Sequence, residues 1–125
     1  MLTRLKKNSR LKPEPLAFAT EWVAAWNSHD LDRILSHYTD DIVFRSRKAE
    51  RLVGSSEVRG KDALRIYWAK ALDLQPDLNF TVKKVFGGVD MLVIYYHNHR
   101  GEYVVESLRF DPDGLVVEAS ASQEV

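Results

Sequence analysis

Residues 18–44 read FATEWVAAWNSHDLDRILSHYTDDIVF, and the spacing of apolar side chains changes twice within this stretch. Leu16, Ala19, Val23 and Trp26, flanked by Phe18, Trp22 and Ala25, recur every three or four residues, which predicts an amphipathic helix over about residues 14–27. Asn27, Ser28 and His29 interrupt the pattern. Asp30 stands where a helix cap stands, Asp32 lies near the positive end of the following helix, and Leu31, Ile34, Leu35 and Tyr38 form its buried stripe. Beyond Asp40 and Asp41 the period drops to two, so Ile42, Phe44 and Ser46 share one face of a short strand. A helical hairpin leading into a strand therefore opens the fold.

Arg47 to Glu57 is polar, contains Gly54, Ser55 and Ser56, and reads as a loop able to fold over a neighbouring site. From Lys61 to about Leu74 the helical period returns with Leu64, Tyr67, Trp68, Ala71 and Leu72, and Pro76 stops it. The remainder keeps a period of two. Leu78 to Val82 alternates, Gly87-Gly88 turns the chain, and residues 89–99, 102–110 and 115–121 are Val- and Tyr-rich runs separated by Arg100-Gly101 and by Asp111 to Gly114. Short loops join antiparallel neighbours, so the C-terminal half is expected to be a four-strand meander, with the first strand added elsewhere. The fold class is α+β: three N-terminal helices on the concave face of a strongly curved, mainly antiparallel sheet, a cone-like α+β barrel.

The chain has 125 residues, 18 Lys plus Arg, 18 Asp plus Glu, no Cys and 45% hydrophobic residues, which fits one globular domain over residues 14–125. The missing cysteines exclude disulfides, thiolate zinc sites and thiol nucleophiles. Arg4, Lys6, Lys7, Arg10 and Lys12 make residues 1–13 a basic, solvated tail by expectation. The chain after residue 12 holds 13 basic against 18 acidic residues, a net charge of −5, which disfavours nucleic-acid binding. No apolar run is long enough for a membrane span or a secretory signal, and a cytoplasmic location is expected.

If Arg100-Gly101 is a two-residue turn, His97 faces Val104, Tyr95 faces Glu106 and Val93 faces Leu108. A four-residue loop over Asp111 to Gly114 would pair Leu108 with Val117 and Glu106 with Ala119. That face is mostly apolar, so Glu106 would sit among apolar neighbours on the concave side, where a lone carboxylate has its pKa raised and suits general acid or base work. Glu106, His97 and Tyr95 are therefore the candidate catalytic set. Trp22, Trp26, Tyr38, Phe44 and Trp68, at core spacing, join Ser46, Leu108 and Ala119 as candidate pocket residues. Leu92, Ile94, Tyr96, Tyr103 and Val105 would then form an apolar outer face covered by a second copy of the chain. Arg45, Arg47, Lys48 and Arg51 form a basic cluster beside the pocket mouth, suited to steering an anion. His29 and His37 are expected to be structural. No metal site and no cofactor are expected.

The run from Phe18 to Phe44 resembles the opening of the nuclear transport factor 2-like superfamily, which includes SnoaL-like polyketide cyclases and ketosteroid isomerases. The shared features are Trp22-Val23-Ala24-Ala25 followed by Asn27, Asp30-Leu31-Asp32 and Asp40-Asp41. Gly60 before a helix, and Leu108-Arg109-Phe110 before an Asp-Gly turn, extend the likeness over about residues 14–122. The resemblance implies fold more than function. Trp22 stands where steroid-isomerase-like members carry an oxyanion-donating Tyr, Ser46 where they carry an Asp base, and Glu106 where they carry a protonated Asp. Steroid isomerisation by that route is thus not expected, nor is epoxide hydrolysis, whose Trp-Arg-Asp run is replaced by Val117-Glu118-Ala119-Ser120. The resemblance leaves an isomerase, dehydratase or cyclase acting on a small apolar or carbonyl-containing molecule, a noncatalytic carrier, or an assembly domain without ligand.

Overall fold

The computed structural model describes residues 12–125. The basic segment expected as a tail lies, apart from Lys12 and Pro13, outside the described residues. Helix α1 spans Pro15–Ser28. Glu14 caps it by accepting from the backbone N–H of Ala17 at 2.9 Å and of Leu16 at 3.2 Å, and Pro15 occupies a first-turn position that has no helical acceptor to lose. Phe18, Ala19, Trp22, Ala25 and Trp26 form its buried stripe, and His29 ends it in the left-handed region at φ 61°. Helix α2, Leu31–Leu35, begins at Asp30, whose carboxylate accepts from Arg33 N at 3.1 Å. Tyr38, expected on its stripe, instead starts strand β1, Tyr38–Arg45, because Ser36 and His37 already turn the chain.

The stretch expected as a loop contains a helix and a strand, α3 over Arg47–Val53 and β2 over Glu57–Arg59. Ser46 Oγ accepts from Lys48 N at 3.2 Å and Gly54 closes the helix at φ 83°, so the polar composition reflects a capped, one-sided helix of which only Ala49 is buried. Helix α4 covers Lys61–Leu74 as expected, with Leu64, Tyr67, Trp68 and Ala71 buried. Strands β3 (Thr81–Gly87), β4 (Met91–His97), β5 (Tyr103–Phe110) and β6 (Val116–Gln123) form the meander.

The six strands run in the order β2-β1-β6-β5-β4-β3, antiparallel except where β1 lies parallel to β6. The fold is α+β, with four helices rather than three among the described residues; β2 and β3 are the edges of the described sheet, which is curved but open and does not close into a barrel. Helix α1 packs on β3 and α2, and α4 packs on β1, on β2, on α2 and on α3. No described helix is long and apolar enough to cross a membrane.

The β4–β5 register differs from the expected one by one residue. His97 pairs with Tyr103, Tyr96 with Val104, Ile94 with Glu106 and Leu92 with Leu108. The loop has three residues because Asn98 organises it. Asn98 Oδ1 accepts from Arg100 N at 3.0 Å and Glu102 N at 2.9 Å, and Gly101, at φ 76°, donates its N–H to the Asn98 carbonyl at 3.0 Å. Asn at the first turn position and Gly at the fourth are the signature of a type I turn followed by a left-handed residue. Side chains alternate along a strand, so a one-residue offset exchanges faces. Leu92, Ile94 and Tyr96 are therefore buried under the helices, whereas Val93, Tyr95 and His97 lie on the outer face with Tyr103 and Val105.

The β5–β6 register is offset by two. Asp111 Oδ1 accepts from Asp113 N and Leu115 N, both at 2.9 Å, and Gly114 takes φ 87°, which again makes a three-residue loop. A bulge at Val117 adds the second step, so Leu108 meets Ala119 and Glu106 meets Ala121. Two offsets restore the parity, and Ala119 stays on the inner face.

Candidate active-site cavity

A cavity of ≈ 70 Å³ lies between α1, α4 and the inner face of the sheet. Space for several waters is enough for a compact organic group. Trp22 and Trp26 enter from α1, Tyr67, Trp68 and Ala71 from α4, Phe44 from β1, Tyr96 from β4, Val104 and Glu106 from β5, and Ala121 from β6. Leu78 and Phe80, on the segment leading to β3, complete the apolar wall. Ser46, Lys48, Gln75, Asn98 and Gln123 supply most of the polar lining.

Glu106 is the one carboxylate in this lining, and it is 4% exposed. It faces Ala121 on one side and Ile94 on the other, and no hydrogen bond holds its carboxyl among the described residues. Burial alone pushes its pKa up to about 8, so at pH 7 the carboxyl is mostly protonated. Three phenols stand close enough to feel its charge. Tyr38, Tyr67 and Tyr96 are each pushed above the ordinary tyrosine value, first by burial and, in all three, also by Glu106; the Ser46 hydroxyl partly offsets the effect at Tyr67. Trp22 Nε1 donates to the Tyr38 hydroxyl oxygen at 3.3 Å, which leaves the Tyr38 proton available to another acceptor. The Trp26 Nε1–H is buried and has no hydrogen-bond partner among the described residues.

Of the expected site residues, Glu106, Trp22, Trp26, Phe44, Ser46 and Trp68 line the cavity, while Tyr38, Leu108 and Ala119 are buried outside its lining. Tyr95 and His97 are not brought to Glu106. The one-residue register difference puts them on the outer face, where the Tyr95 hydroxyl lies 3.4 Å from His97 Nε2 and the His97 ring stacks on Tyr103 at 4.3 Å between centroids. The expected acid–base partnership of Glu106 with His97 or Tyr95 therefore does not assemble. Among the described residues no group of three or more potential metal ligands converges. The same offset moves Leu92, Ile94 and Tyr96 from the expected dimer face into the interior.

Sequence reasoning missed Tyr67, Tyr96, Phe80, Gln75 and Asn98 as pocket residues, and placed Lys48 only at the pocket mouth. Tyr96 follows from reading Asn98 with Gly101 as a turn, and Tyr67 from its place on the buried stripe of α4. The basic cluster is divided by the structure. Arg45 lies on the outer face, bonded to Glu57 at 3.0 Å and Glu118 at 2.6 Å, whereas Lys48 lines the cavity. His29 Nε2 lies 2.8 Å from the Leu78 carbonyl, and His37 Nε2 lies 3.4 Å from Glu21, so both tie helices to their surroundings.

The SnoaL-like domain profile matches residues 19–119. No curated protein matches the chain. Among solved structures, a SnoaL-like protein of unknown function from Burkholderia thailandensis is 39% identical with a TM-score of 0.84, over 89% of this chain and 95% of that one. AclR from Streptomyces galilaeus, described as a candidate hydroxylase, is 30% identical with a TM-score of 0.68, over 87% and 74% of the two chains. A candidate isomerase of the SnoaL-like family from Agrobacterium tumefaciens is 12% identical, with a TM-score of 0.70 over 88% and 97%, and shares the fold alone. The profile match, the close Burkholderia relative and the α1-to-β6 architecture agree: this chain belongs to the SnoaL-like family of the nuclear transport factor 2-like superfamily.

Proposed function

We propose that the protein is a cofactor-independent isomerase, dehydratase or cyclase that moves a proton within a small, largely apolar carbonyl compound, with Glu106 as the proton-transfer group. The observation that carries this reading is a single carboxyl, buried without a hydrogen bond and raised to about 8, at the wall of an aromatic cavity. A pKa near the working pH lets one group both take and return a proton.

The ionised Glu106 accepts the proton from a carbon beside the substrate carbonyl, and the electron pair of that C–H bond moves onto the carbonyl oxygen. A phenol of Tyr67 or Tyr96, both in the cavity lining, donates a hydrogen bond to that oxygen. Return of the proton at another carbon isomerises the compound; its delivery to a departing β-hydroxyl releases water. Ser46 is N-cap of α3 and takes no proton in this scheme.

The test is deuterium incorporation into small cyclic ketones in D2O, followed by NMR, with wild type and E106Q. Glu106 chemistry requires the wild type to accelerate exchange, E106Q to lose about 10²-fold or more of that rate, and the rate to rise with pH through about 8. Equal rates and equal ligand affinity in the two proteins would overturn it. A noncatalytic carrier is the second reading, favoured by the absence of another carboxylate or His from the lining; it predicts ligand uptake without exchange.

A homodimer belongs to the same proposal, through the corrected outer face of Val93, Tyr95, His97, Tyr103 and Val105. Phe86, 54% exposed and paired with Val93 across β3–β4, extends this apolar surface. A cytoplasmic setting is kept as part of the proposal.

A further inference from the structure

A second recess of ≈ 160 Å³ adjoins the first and is lined by Lys48, Arg51, Leu52, Leu74, Gln75 and Arg100. Lys48 and Gln75 belong to both linings, so the inner cavity and the recess share a wall at these two side chains. Half of the recess lining is cationic, and the charges come from two separate elements: Lys48 and Arg51 from α3, Arg100 from the β4–β5 loop. Among the described residues neither the Arg51 nor the Arg100 guanidinium forms an ion pair, in contrast to Arg33, Arg45, Arg59, Arg65 and Arg109.

The acid that acts on Lys48 is Glu102, and its carboxylate already accepts from Asn98 Nδ2 at 2.7 Å. Burial lowers the Lys48 pKa from its ordinary value, Glu102 raises it, and Arg100 and Arg51 lower it further. His99 and Arg100 act on Glu102 from the same loop. Three like charges thus face one small space with one engaged counter-charge. A bound anion would offset that repulsion, and two guanidiniums beside an ammonium suit a carboxylate.

We infer that the recess is an anion subsite, and that the molecule entering the pocket is a small carboxylate whose apolar body lies against Trp22, Trp26 and Phe80 while its charged end sits between Lys48, Arg51 and Arg100. The inference rests on the pocket reading above, because the apolar body occupies the inner cavity. Leu52 and Leu74 supply apolar wall beside the charged groups.

All three tryptophans of the chain, Trp22, Trp26 and Trp68, line the inner cavity, so intrinsic fluorescence reports its occupancy. The full chain is titrated with two matched pairs, hexanoate against hexanamide and 3-phenylpropionate against 3-phenylpropanamide. In at least one pair the acid is expected to bind about tenfold tighter than its amide, with added salt weakening the acid only. The R51Q/R100Q double variant, which alters two exposed side chains, is expected to bring the acid to the level of the amide; a thermal melt checks its fold. Equal binding of acid and amide, or an acid preference that survives in R51Q/R100Q, overturns the anion subsite and leaves the pocket standing. Silence from both pairs also overturns it, while the pocket reading is decided separately by the deuterium experiment.

Discussion

Glu106 stabilises the fold only while it holds its proton. Its folded pKa, raised to about 8 by burial, lies above the ordinary 4.5, so between those values the folded state binds the proton that the unfolded chain releases. Stability contributed by the neutral carboxyl is complete below about 4.5 and is lost as pH rises through about 8, at about 1.4 kcal/mol for each pH unit in the window. E106Q keeps the shape and removes the ionisation. Thermal melts should show E106Q and wild type close together at pH 5 and E106Q clearly more stable at pH 8 and above; a gap independent of pH would contradict the burial argument. At the same scale, Y38F removes the acceptor of the Trp22 indole N–H, and the loss of that buried bond is expected to cost about 1–3 kcal/mol in chemical denaturation. The residue scale was also where the sequence was least legible. Glu106 stood out as a buried carboxyl on an apolar strand face, but its neighbours depended on register, and a one-residue offset replaced Tyr95 and His97 with Tyr96.

Two of the three hairpins of the meander, β4–β5 and β5–β6, are built alike. Asn98 with Gly101 and Asp111 with Gly114 each place a side-chain acceptor at the first turn position and a left-handed glycine at the fourth. N98A removes two acceptor bonds to backbone N–H groups and the donor bond to Glu102, and should destabilise the protein by about 1–3 kcal/mol. G101A should cost only about 1 kcal/mol, because a Cβ there meets nothing and the loss comes from the positive φ alone. Denaturant midpoints of the two variants check that order. Helices α1 and α2 were legible because a capping carboxylate and apolar periodicity agree, and α4 because its apolar periodicity runs unbroken from Gly60 towards Pro76. Helix α3 was not, since it presents a single buried side chain, Ala49, and a seven-residue helix with one anchored position carries no periodic signal. The strands other than β2 were legible as strands. Their partners were not, because loop length fixes register and the Asx-type hydrogen bonds that shorten these loops depend on side-chain geometry.

For the whole molecule, the sheet has a helix-covered face that holds the cavity and an outer face of Phe86, Val93, Tyr95, Tyr103 and Val105 that is bare of the described helices. If a second copy covers that bare face, Y103E places a charge at its aromatic cluster and sedimentation should shift from dimer to monomer, with the Trp fluorescence of the cavity unchanged. The parallel pairing of β1 with β6 has another consequence. These strands stand 70 or more positions apart, with Phe44 against Ala119, so the helical hairpin and first strand emerge from the ribosome long before the strand that seats them. Before Val116–Gln123 is made, β1 has no β6 to pair with, and Phe44 lacks its partner Ala119. The sheet that seats the helical hairpin is therefore completed by its sixth strand in chain order, and strands made early wait for one made late.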